Sequence, residues 1–277
     1  MSFELYLKEN IPSIKSFHPY FNDAIKLMLD AGGKHFRAKL LLGVVESLNK
    51  DKLKDAYAIA FAIEMMHTYS LIHDDLPSFD NADFRRGIPT IHKKYDEVSA
   101  ILVGDGLNTE AFLHIANSNF DDSTKVKLVK ELSYNAGFNG MVIGQALDCY
   151  FEKQKLDIKE LEFIHIHKTG RLIAASLKMG AILSGLDEKE CEKYYEIGLK
   201  LGLIFQINDD ILDATKDDTE LGKPSNNDTF KNSYTNLLGV DKAIKYKKDM
   251  IDELYELLSC IDEKVANNIK KLIEKYL

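Results

Sequence analysis

Residues Ala56–His73 read AYAIAFAIEMMHTYSLIH and contain neither glycine nor proline. At about 3.6 residues per turn, their apolar side chains fall on nearly every face of a helix. A helix that is apolar all round is buried inside a larger protein. We therefore expect Ala56–His73 to form a central helix that other elements cover.

The rest of the chain also indicates helices. It has only 5 prolines in 277 residues, and the long stretches between them have helical periodicity. The clearest are Leu156–Gly185, Glu188–Asp213 and Asp241–Tyr276. Alternating β-branched segments with tight turns are absent from the sequence. The sequence predicts an all-α fold, with residues 1–277 forming a single domain.

Composition limits the possible partners. Lys and Arg total 36 and Asp and Glu total 44, for a formal net charge of -8. We expect no nucleic-acid partner, because phosphate backbones are bound by basic surfaces. The sequence contains no uninterrupted run of about 18 apolar residues, so we expect no membrane span. The three cysteines are far apart and no signal peptide is apparent, so we expect the protein to reside in the reducing cytoplasm.

Two polar residues stand out near the end of the predicted central helix. His67 and Asp74 lie two turns apart and within about 20° of each other around the helix axis. Glu64 adds a carboxylate one turn earlier. Burying such groups unpaired costs several kcal/mol, so they must meet partners or line a wet cavity. An ordinary core histidine remains the alternative for His67.

A second helical stretch, Glu196–Asp213, leads from small residues to carboxylates. Gly198 and Gly202 share a face with Gln206 and Asp209, within an arc of about 120°. Glycine within a helix costs roughly 0.5–1 kcal/mol relative to alanine, so something should pack closely against these two. Either a ligand or another helix would satisfy the pattern.

Each of these two apolar stretches ends in an acidic cluster. Residues 73–80 read HDDLPSFD and residues 208–213 read NDDILD. Pro77 should end the first helix, and a bend there could return Asp80 toward Asp74. Crowded carboxylates repel each other, and a hard divalent ion such as Mg²⁺ would relieve that repulsion. One cluster alone would suit a solvated helix end, but two predict a magnesium site.

Basic residues accompany the acidic clusters. Gly32–Arg37 offers flexible backbone amides together with Lys34 and Arg37, a pattern that suits an oxyanion. Arg85 and Arg86 follow the first cluster, and arginine forks match phosphate oxygens. Salt bridges to Asp80 or Asp83 are the competing interpretation for these arginines. We infer a helical cavity that handles a compound with diphosphate groups and a hydrocarbon part.

Four segments together resemble the trans-isoprenyl diphosphate synthase family, and within it the bacterial-type farnesyl diphosphate synthases. They are Gly32–Arg37, His67–Gly87, Lys168–Gly170 and Phe205–Asp213. The resemblance implies a helical bundle around a deep central cavity, usually a homodimer. It also implies condensation of isopentenyl diphosphate with dimethylallyl or geranyl diphosphate to give the fifteen-carbon farnesyl diphosphate.

The resemblance implies a role for each matching residue. Three Mg²⁺ ions would be held by Asp74, Asp80 and Asp209, and the catalytic group would also include Asp75, Lys168, Asp210 and Asp213. The allylic diphosphate would be bound by Arg85, Lys168, Lys223 and Lys231. Isopentenyl diphosphate would be bound by Lys34, Arg37, His67 and Arg86. Thr169 and Gln206 would line the reacting carbons.

Product length should depend on the depth of the apolar pocket. Tyr69 lies five positions before Asp74, about one and a half helical turns deeper. With Ser70 beside it, a large ring there would act as a floor and favour a fifteen-carbon product. A geranylgeranyl diphosphate synthase, or one of another chain length, is the alternative within the family.

Some positions depart from the family pattern. His35 stands where arginine is common and Ala38 where proline is common, and we expect His35 to weaken affinity for isopentenyl diphosphate at neutral pH. Asn81 and Ala82 replace acidic residues. None of these departures removes a residue assigned to metal binding or catalysis.

Three other functions would fit parts of the sequence. A class I terpene cyclase shares the fold, but its second metal site normally mixes Asn, Ser or Thr with Glu. A metal phosphohydrolase would use the His73-Asp74 dipeptide and needs further histidine ligands. A catalytically silent helical subunit would usually have lost acidic-cluster residues, and both clusters are present here.

Overall fold

The computed structural model describes residues 2–215 and 232–277. Its secondary structure is α1 (Phe3–Glu9), α2 (Phe21–Asp30), α3 (Phe36–Leu48), a 3-10 turn (Lys50–Lys52), α4 (Leu53–Asp74), β1 (Phe84–Arg85), β2 (Ile88–Pro89), α5 (Ile91–Lys94), α6 (Glu97–Ala116), α7 (Asp122–Ala136), α8 (Met141–Tyr150), α9 (Ile158–His165), a π-helical turn (Ile166–Gly170), α10 (Arg171–Leu183), α11 (Glu188–Thr215), α12 (Tyr234–Leu238), α13 (Val240–Leu258) and α14 (Glu263–Tyr276).

The all-α prediction is confirmed, and β1 and β2 form a minimal antiparallel hairpin. Helices α4 and α11 contain the two apolar stretches predicted from sequence. The predicted helical stretch Asp241–Tyr276 is helical and is divided in two, because α13 ends at Leu258 and α14 begins at Glu263. The Asp262 carboxylate accepts hydrogen bonds from the amides of Lys264 and Val265, which starts a new helix there.

The predicted stretch Leu156–Gly185 is one helical run with an altered middle. Helices α9 and α10 are joined through the π-helical turn Ile166–Gly170. A π turn is wider than an α turn and often occurs at functional positions. The segment Lys168–Gly170, which carries part of the family resemblance, therefore lies within a change of helix type and not in a loop.

Two apolar clusters make up the core. The first surrounds α4, whose Ile59, Phe61 and Ile63 are fully buried. The second surrounds α11 and extends to α13 and α14. Helices α3 and α10 contribute side chains to both clusters, so they join the two halves of the core.

Glycines of α11 and α8 allow backbones to approach each other closely. A Cβ atom at Gly202 would lie 2.4 Å from the Cα of Gly170, and one at Gly198 would lie 2.3 Å from the Cα of Ala174. The two α11 glycines therefore pack against another helix, which settles the alternatives left open by the sequence. A Cβ at Gly144 would lie 2.2 Å from the Lys168 amide nitrogen, so α8 also packs closely against the π-helical turn.

Among residues 2–215 and 232–277, none of the helices combines the length and hydropathy needed to cross a bilayer.

Candidate active site

The first acidic cluster bends back on itself where α4 ends. The amide of Asp80 donates a 2.9 Å hydrogen bond to the carbonyl oxygen of Asp74, across the turn that contains Pro77. Asp75 is buried and accepts from Arg85, with 2.6 Å between Oδ1 and Nη2 and 2.9 Å between Oδ1 and Nε. Arg85 therefore does form a salt bridge, although its partner is Asp75 and neither Asp80 nor Asp83.

Asp74 occupies an environment that disfavours its negative charge. The pKa of its carboxyl is raised to about 6, chiefly by burial and also by the nearby Asp80 and Asp148, while the charges of Lys168 and Arg85 act in the opposite direction. A carboxylate in this position gains from any cation that replaces its proton. The crowding inferred from sequence is thus present at the carboxyl end of α4.

A cavity of about 430 Å³ opens beside Asp74. Its lining consists of Arg37, His67, Tyr69, Ser70, Leu71, His73, Asp74, Phe79, Met141, Val142, Gln145, Ala146, Cys149, Lys168 and Thr169. Charged groups thus share the wall with apolar side chains, which suits a ligand that is part phosphate and part hydrocarbon.

Some predicted site residues are absent from this lining. Those within the described residues are Lys34, Asp75, Asp80, Arg85, Arg86, Gln206, Asp209, Asp210 and Asp213. Lys223 and Lys231 lie outside the described residues. The roles assigned to all of these residues stay predictions.

The second acidic cluster contains a carboxylate that already has partners. Asp210 accepts hydrogen bonds from the Tyr234 amide at 2.8 Å and from the Gln206 side chain at 3.2 Å. Burial raises the pKa of Asp210 to about 7, and the charges of Asp209 and Asp213 add to that effect. Asp210 therefore holds α12 and Gln206 in place.

Arg37 connects the two sides of the site. Burial lowers its pKa to about 10, while Glu64 on α4 and Asp209 on α11 oppose that change. The guanidinium stays charged near neutral pH, and its buried Nε has no hydrogen-bond partner within the described part of the chain. A buried cation at the cavity wall is suited to an anionic ligand.

Glu64 is the counterion of this basic region. Its Oε2 accepts from His35 Nδ1 at 2.9 Å, and its Oε1 accepts from the Ala38 amide at 3.3 Å. Both departures from the family pattern, His35 and Ala38, therefore meet the same carboxylate. The sequence marked Glu64 as a polar residue in an apolar helix but did not indicate these partners.

His67 and Arg86 lie on the same side as Arg37. Burial lowers the pKa of His67 well below its ordinary value, and Arg37, Arg86 and Arg85 lower it further, so the ring is neutral near pH 7. His67 is among the residues that line the cavity, and its role in binding stays a prediction. Arg86 lies beside Gly33, where a Cβ atom would meet its Cζ at 3.1 Å.

Lys34 is not among the residues that line the cavity, and its side chain contacts two aromatic rings. Its Nζ lies 5.5 Å from the ring centroid of Phe205 and 5.8 Å from that of Tyr276. These contacts are cation–π interactions, which hold an ammonium over aromatic faces. Lys34 thus lies between the end of α14 and α11.

The π-helical turn presents Lys168 and Thr169. Lys168 Nζ donates to Asp148 Oδ2 at 2.6 Å, and Thr169 Oγ1 donates to Gln206 Oε1 at 3.2 Å. Asp148, with Gln145 on the same helix, is a site residue that the sequence analysis missed. The signal was present, because both follow Gly144 in a short apolar helix.

The residues proposed as the pocket floor, Tyr69 and Ser70, lie on α4. Tyr69 and Ser70 both line the cavity, and the Tyr69 ring meets His73 edge-on at 5.7 Å between centroids. Met141 and Val142 of α8 contribute to the apolar part of the wall, together with Leu71 and Phe79.

The donor groups fit magnesium held jointly with a ligand. Among the residues that the structure describes, no three His, Cys, Asp or Glu side chains converge into a metal cage. Mg²⁺ usually takes one or two carboxylates and completes its shell with water and substrate phosphates. The arrangement suits that mode better than a histidine-rich metal centre. His73 itself bonds to the carbonyl of Ile101 at 3.1 Å.

Comparisons with known proteins agree on one family. The family described as "Polyprenyl synthetase" matches residues 18–276. Farnesyl diphosphate synthase of Micrococcus luteus is 41% identical over 265 residues, covering 94% of this chain and 90% of that protein. A chloroplastic geranylgeranyl pyrophosphate synthase of Capsicum annuum is 42% identical over 250 residues, covering 88% and 68%.

A solved structure has nearly the same fold. The geranyltransferase of Helicobacter pylori, complexed with magnesium and isoprenyl diphosphate, superposes with a TM-score of 0.94 at 44% identity. The match covers 99% of this chain and 93% of that chain. At this identity and coverage, the chain is a member of the polyprenyl synthetase family.

Proposed function

We propose that this prenyltransferase condenses isopentenyl diphosphate with dimethylallyl or geranyl diphosphate, and that its product is farnesyl diphosphate. One observation carries the proposal: Asp74, Lys168 and Arg37 line a single cavity whose remaining wall is largely apolar. Cationic and metal-binding groups at one end and hydrocarbon walls at the other match a prenyl diphosphate. Relatives named for farnesyl diphosphate synthesis support the assignment.

The enzyme uses Mg²⁺. Asp74 and Asp80 would hold ions from the first cluster and Asp209 from the second, and we propose three ions in all. When bound, magnesium supplies charge neutralisation for the leaving diphosphate. The raised pKa of Asp74 supports its role, because a carboxyl that resists ionisation alone binds a cation instead of a proton.

The residues of the chain then carry the reaction. Lys168, with Arg85, stabilises negative charge that develops on the departing diphosphate as the allylic C–O bond breaks. Lys223 and Lys231 complete this group in the proposal. The double bond of isopentenyl diphosphate attacks the allylic carbocation and forms the new C–C bond. A proton then leaves the coupled carbon skeleton and is taken up by the departed diphosphate.

Other side chains orient the reacting partners and keep the site dry. Arg37, Arg86 and Lys34 bind the diphosphate of isopentenyl diphosphate, with neutral His67 as a hydrogen-bonding group. Thr169 and Gln206, which bond to each other, lie beside the reacting carbons. Met141 and Val142 exclude water that would otherwise quench the cation.

Chain length follows from the floor of the cavity. Tyr69 and Ser70 would stop a growing prenyl chain at fifteen carbons. The resemblance to a geranylgeranyl pyrophosphate synthase keeps a twenty-carbon product as the second candidate.

We also propose that two copies of the chain associate. Val98, Ile101 and Leu102 of α6 are 65%, 43% and 51% exposed, and their i, i+3, i+4 spacing places them on one helix face. An apolar helix face open to water is typical of a surface that another copy covers. Sedimentation of Leu102→Glu should show monomers where the unaltered chain sediments as dimers; dimers in both would contradict this surface.

The whole chain is proposed to act as one domain in a reducing cytoplasm. Helices α3 and α10 contribute to both apolar clusters, which favours one folding unit. Cys149, Cys191 and Cys260 are free thiols, as a reducing compartment would keep them.

The test is incubation with labelled isopentenyl diphosphate, an allylic diphosphate and Mg²⁺, with products sized with and without chelator. A metal-dependent fifteen-carbon diphosphate is the expected result. A cyclic hydrocarbon would indicate a terpene cyclase, and release of phosphate without coupling would indicate a phosphohydrolase. No turnover by purified chain would favour the silent subunit. Each of these three outcomes would overturn the proposal.

A further inference from the structure

We propose that Arg171 is a positioning residue that holds the π-helical turn Ile166–Gly170, and through it aims Lys168 and Thr169 into the cavity. The inference rests on the proposed function only for what Lys168 and Thr169 do. That Arg171 supports the turn follows from its contacts with His167 and Tyr195, neither of which is among the residues that line the cavity.

The turn needs support because its backbone is unusual. A π-helical turn bonds each amide one residue further back than an α-helix and is rarely stable as more than a single turn. Here the turn also carries two groups that line the cavity, Lys168 and Thr169. A small rotation of this turn would therefore displace both groups together.

His167 is the first link between the turn and Arg171. Its Nδ1 lies 2.7 Å from the carbonyl oxygen of Phe163, and its Nε2 lies 3.4 Å from an Nη atom of Arg171. A carbonyl only accepts and a guanidinium only donates, so Nδ1 carries the proton and Nε2 accepts. The ring also stacks on Phe163 at 3.9 Å, so the side chain next to Lys168 is fixed on three sides.

The other end of Arg171 is anchored to two further helices. Its second Nη atom donates to the Tyr195 hydroxyl of α11 at 2.7 Å, and that hydroxyl donates to Asn135 Oδ1 of α7 at 2.6 Å. Asn135 is fully buried and donates onward to Glu131 Oε1 at 2.8 Å. Lys178 of α10 closes the chain with a 3.2 Å ion pair to Glu131.

The donor and acceptor order of this chain is fixed. Because Arg171 can only donate, Tyr195 must accept from it and pass its own proton toward Asn135. The amide of Asn135 is thereby oriented with its nitrogen toward Glu131. Because every hydrogen bond in this series has a fixed direction, few alternative arrangements of it are possible. The series therefore couples the position of the π-helical turn to the positions of α7 and α11.

Arg171 has no competing role in charge balance. None of the ion pairs within residues 2–215 and 232–277 includes Arg171, and its buried Nε has no hydrogen-bond partner there. The Cζ atom of Arg171 also lies 5.6 Å from the ring centroid of Tyr134, a contact that packs the guanidinium without giving it a charged partner. A partly buried arginine placed in this way contributes geometry to the turn.

The experiment compares Arg171→Ala and Tyr195→Phe with the unaltered chain in steady-state kinetics. We expect the KM for the allylic diphosphate to rise about tenfold in Arg171→Ala, on the scale of one hydrogen bond to a charged group. Tyr195→Phe should raise it in the same direction by a smaller factor. The KM for isopentenyl diphosphate should stay unchanged in both, because Arg37 and His67 lie on other helices.

Two further measurements separate positioning from general damage. Hydrogen exchange should become faster for the amides of residues 166–170 in Arg171→Ala, without substrate or metal. In a Lys168→Ala background, Arg171→Ala should cause little further rise in the KM for the allylic diphosphate, since both changes act on one group. Lys193→Ala removes an ion pair with Glu190 on α11 and serves as the control that leaves all these values unchanged.

Equal changes in both KM values, unaltered exchange in the turn, or additive losses in the double variant would overturn the inference. If the unaltered chain failed to couple the two substrates, the proposed function would fail instead. The exchange measurement would still decide whether Arg171 holds the turn.

Discussion

Lys168 and Asp148 form an ion pair of 2.6 Å that joins the π-helical turn to α8 at the cavity wall. Burial lowers the pKa of Lys168, but Asp148 and Asp74 more than offset it and keep the ammonium charged. The pair therefore holds a cation ready beside the carboxylate of Asp74, at the position where the proposed reaction develops negative charge.

Replacing Asp148 by Asn should weaken that arrangement. The amide keeps the shape of the side chain but cannot pair with the ammonium, so kcat/KM for the allylic diphosphate should fall about tenfold. Kinetics with each substrate varied in turn would measure it. Asp249→Asn, an exposed change on α13, is the control. Unaltered kcat/KM in Asp148→Asn would show that Lys168 needs no partner.

Asp209 and Asp210 are neighbours in sequence but should behave differently when changed. Asp209→Ala should lower turnover by more than about 100-fold, because electrostatic stabilisation of the leaving group is lost. Asp210→Asn should chiefly lower the thermal midpoint, since Asp210 bonds to the Tyr234 amide and Gln206. Turnover and thermal unfolding of both variants would check this, and an active Asp209→Ala would contradict the two-cluster site.

Removal of the Tyr69 ring should lengthen the product. Tyr69→Ala opens the cavity wall near the end of α4, so elongation should continue past fifteen carbons. Chromatography of dephosphorylated products would show the chain lengths. Tyr255→Ala, on the exposed side of α13, should leave the profile unaltered. The same product profile from Tyr69→Ala would refute the floor.

The pKa of Asp74, about 6, has a consequence for stability. Because the unfolded carboxyl titrates near 4, the charged form is disfavoured in the fold, and native stability falls as pH rises through that interval. In chelator, Asp74→Asn should therefore gain stability over the unaltered chain between about pH 5 and pH 7.5, by up to about 3 kcal/mol.

Denaturant unfolding of both proteins at several pH values would measure this difference, and the titrations of shared histidines cancel in it. Added Mg²⁺ should reverse the order near pH 7.5, because only the aspartate binds the ion. A stability difference that does not vary with pH would show that Asp74 is not disfavoured as a charge.

Gly202 tests the packing of α11 on the π-helical turn. A Cβ there would lie 2.4 Å from the Gly170 Cα, so Gly202→Ala should destabilise the protein by about 1–3 kcal/mol. Gly43, in α3, has no atom within 4 Å of an added Cβ, and Gly43→Ala should instead stabilise by roughly 0.5–1 kcal/mol. Chemical denaturation gives both values, and equal effects would contradict close packing at Gly202.

Several features of the fold could be predicted because they depend on local chemistry. The all-round apolarity of Ala56–His73 required a buried helix, and α4 is one. Pro77 predicted the end of that helix, and the Asp80-to-Asp74 hydrogen bond is the bend that followed. The break at Asp262 was missed, since its capping bonds compete with a helical periodicity that continues on both sides.

The charged residues of the candidate site could be predicted from the sequence, since carboxylates and cations are recognised by residue type and spacing. Which of them pair was not, because Asp75 with Arg85, Asp148 with Lys168 and Glu64 with His35 are joined across 10, 20 and 29 positions by tertiary packing. Sequence spacing fixes directions along one helix, whereas contacts between helices depend on how the whole core closes. The sequence by itself thus determined the helices and their chemistry, and the tertiary structure decided which charges meet the cavity and which neutralise each other.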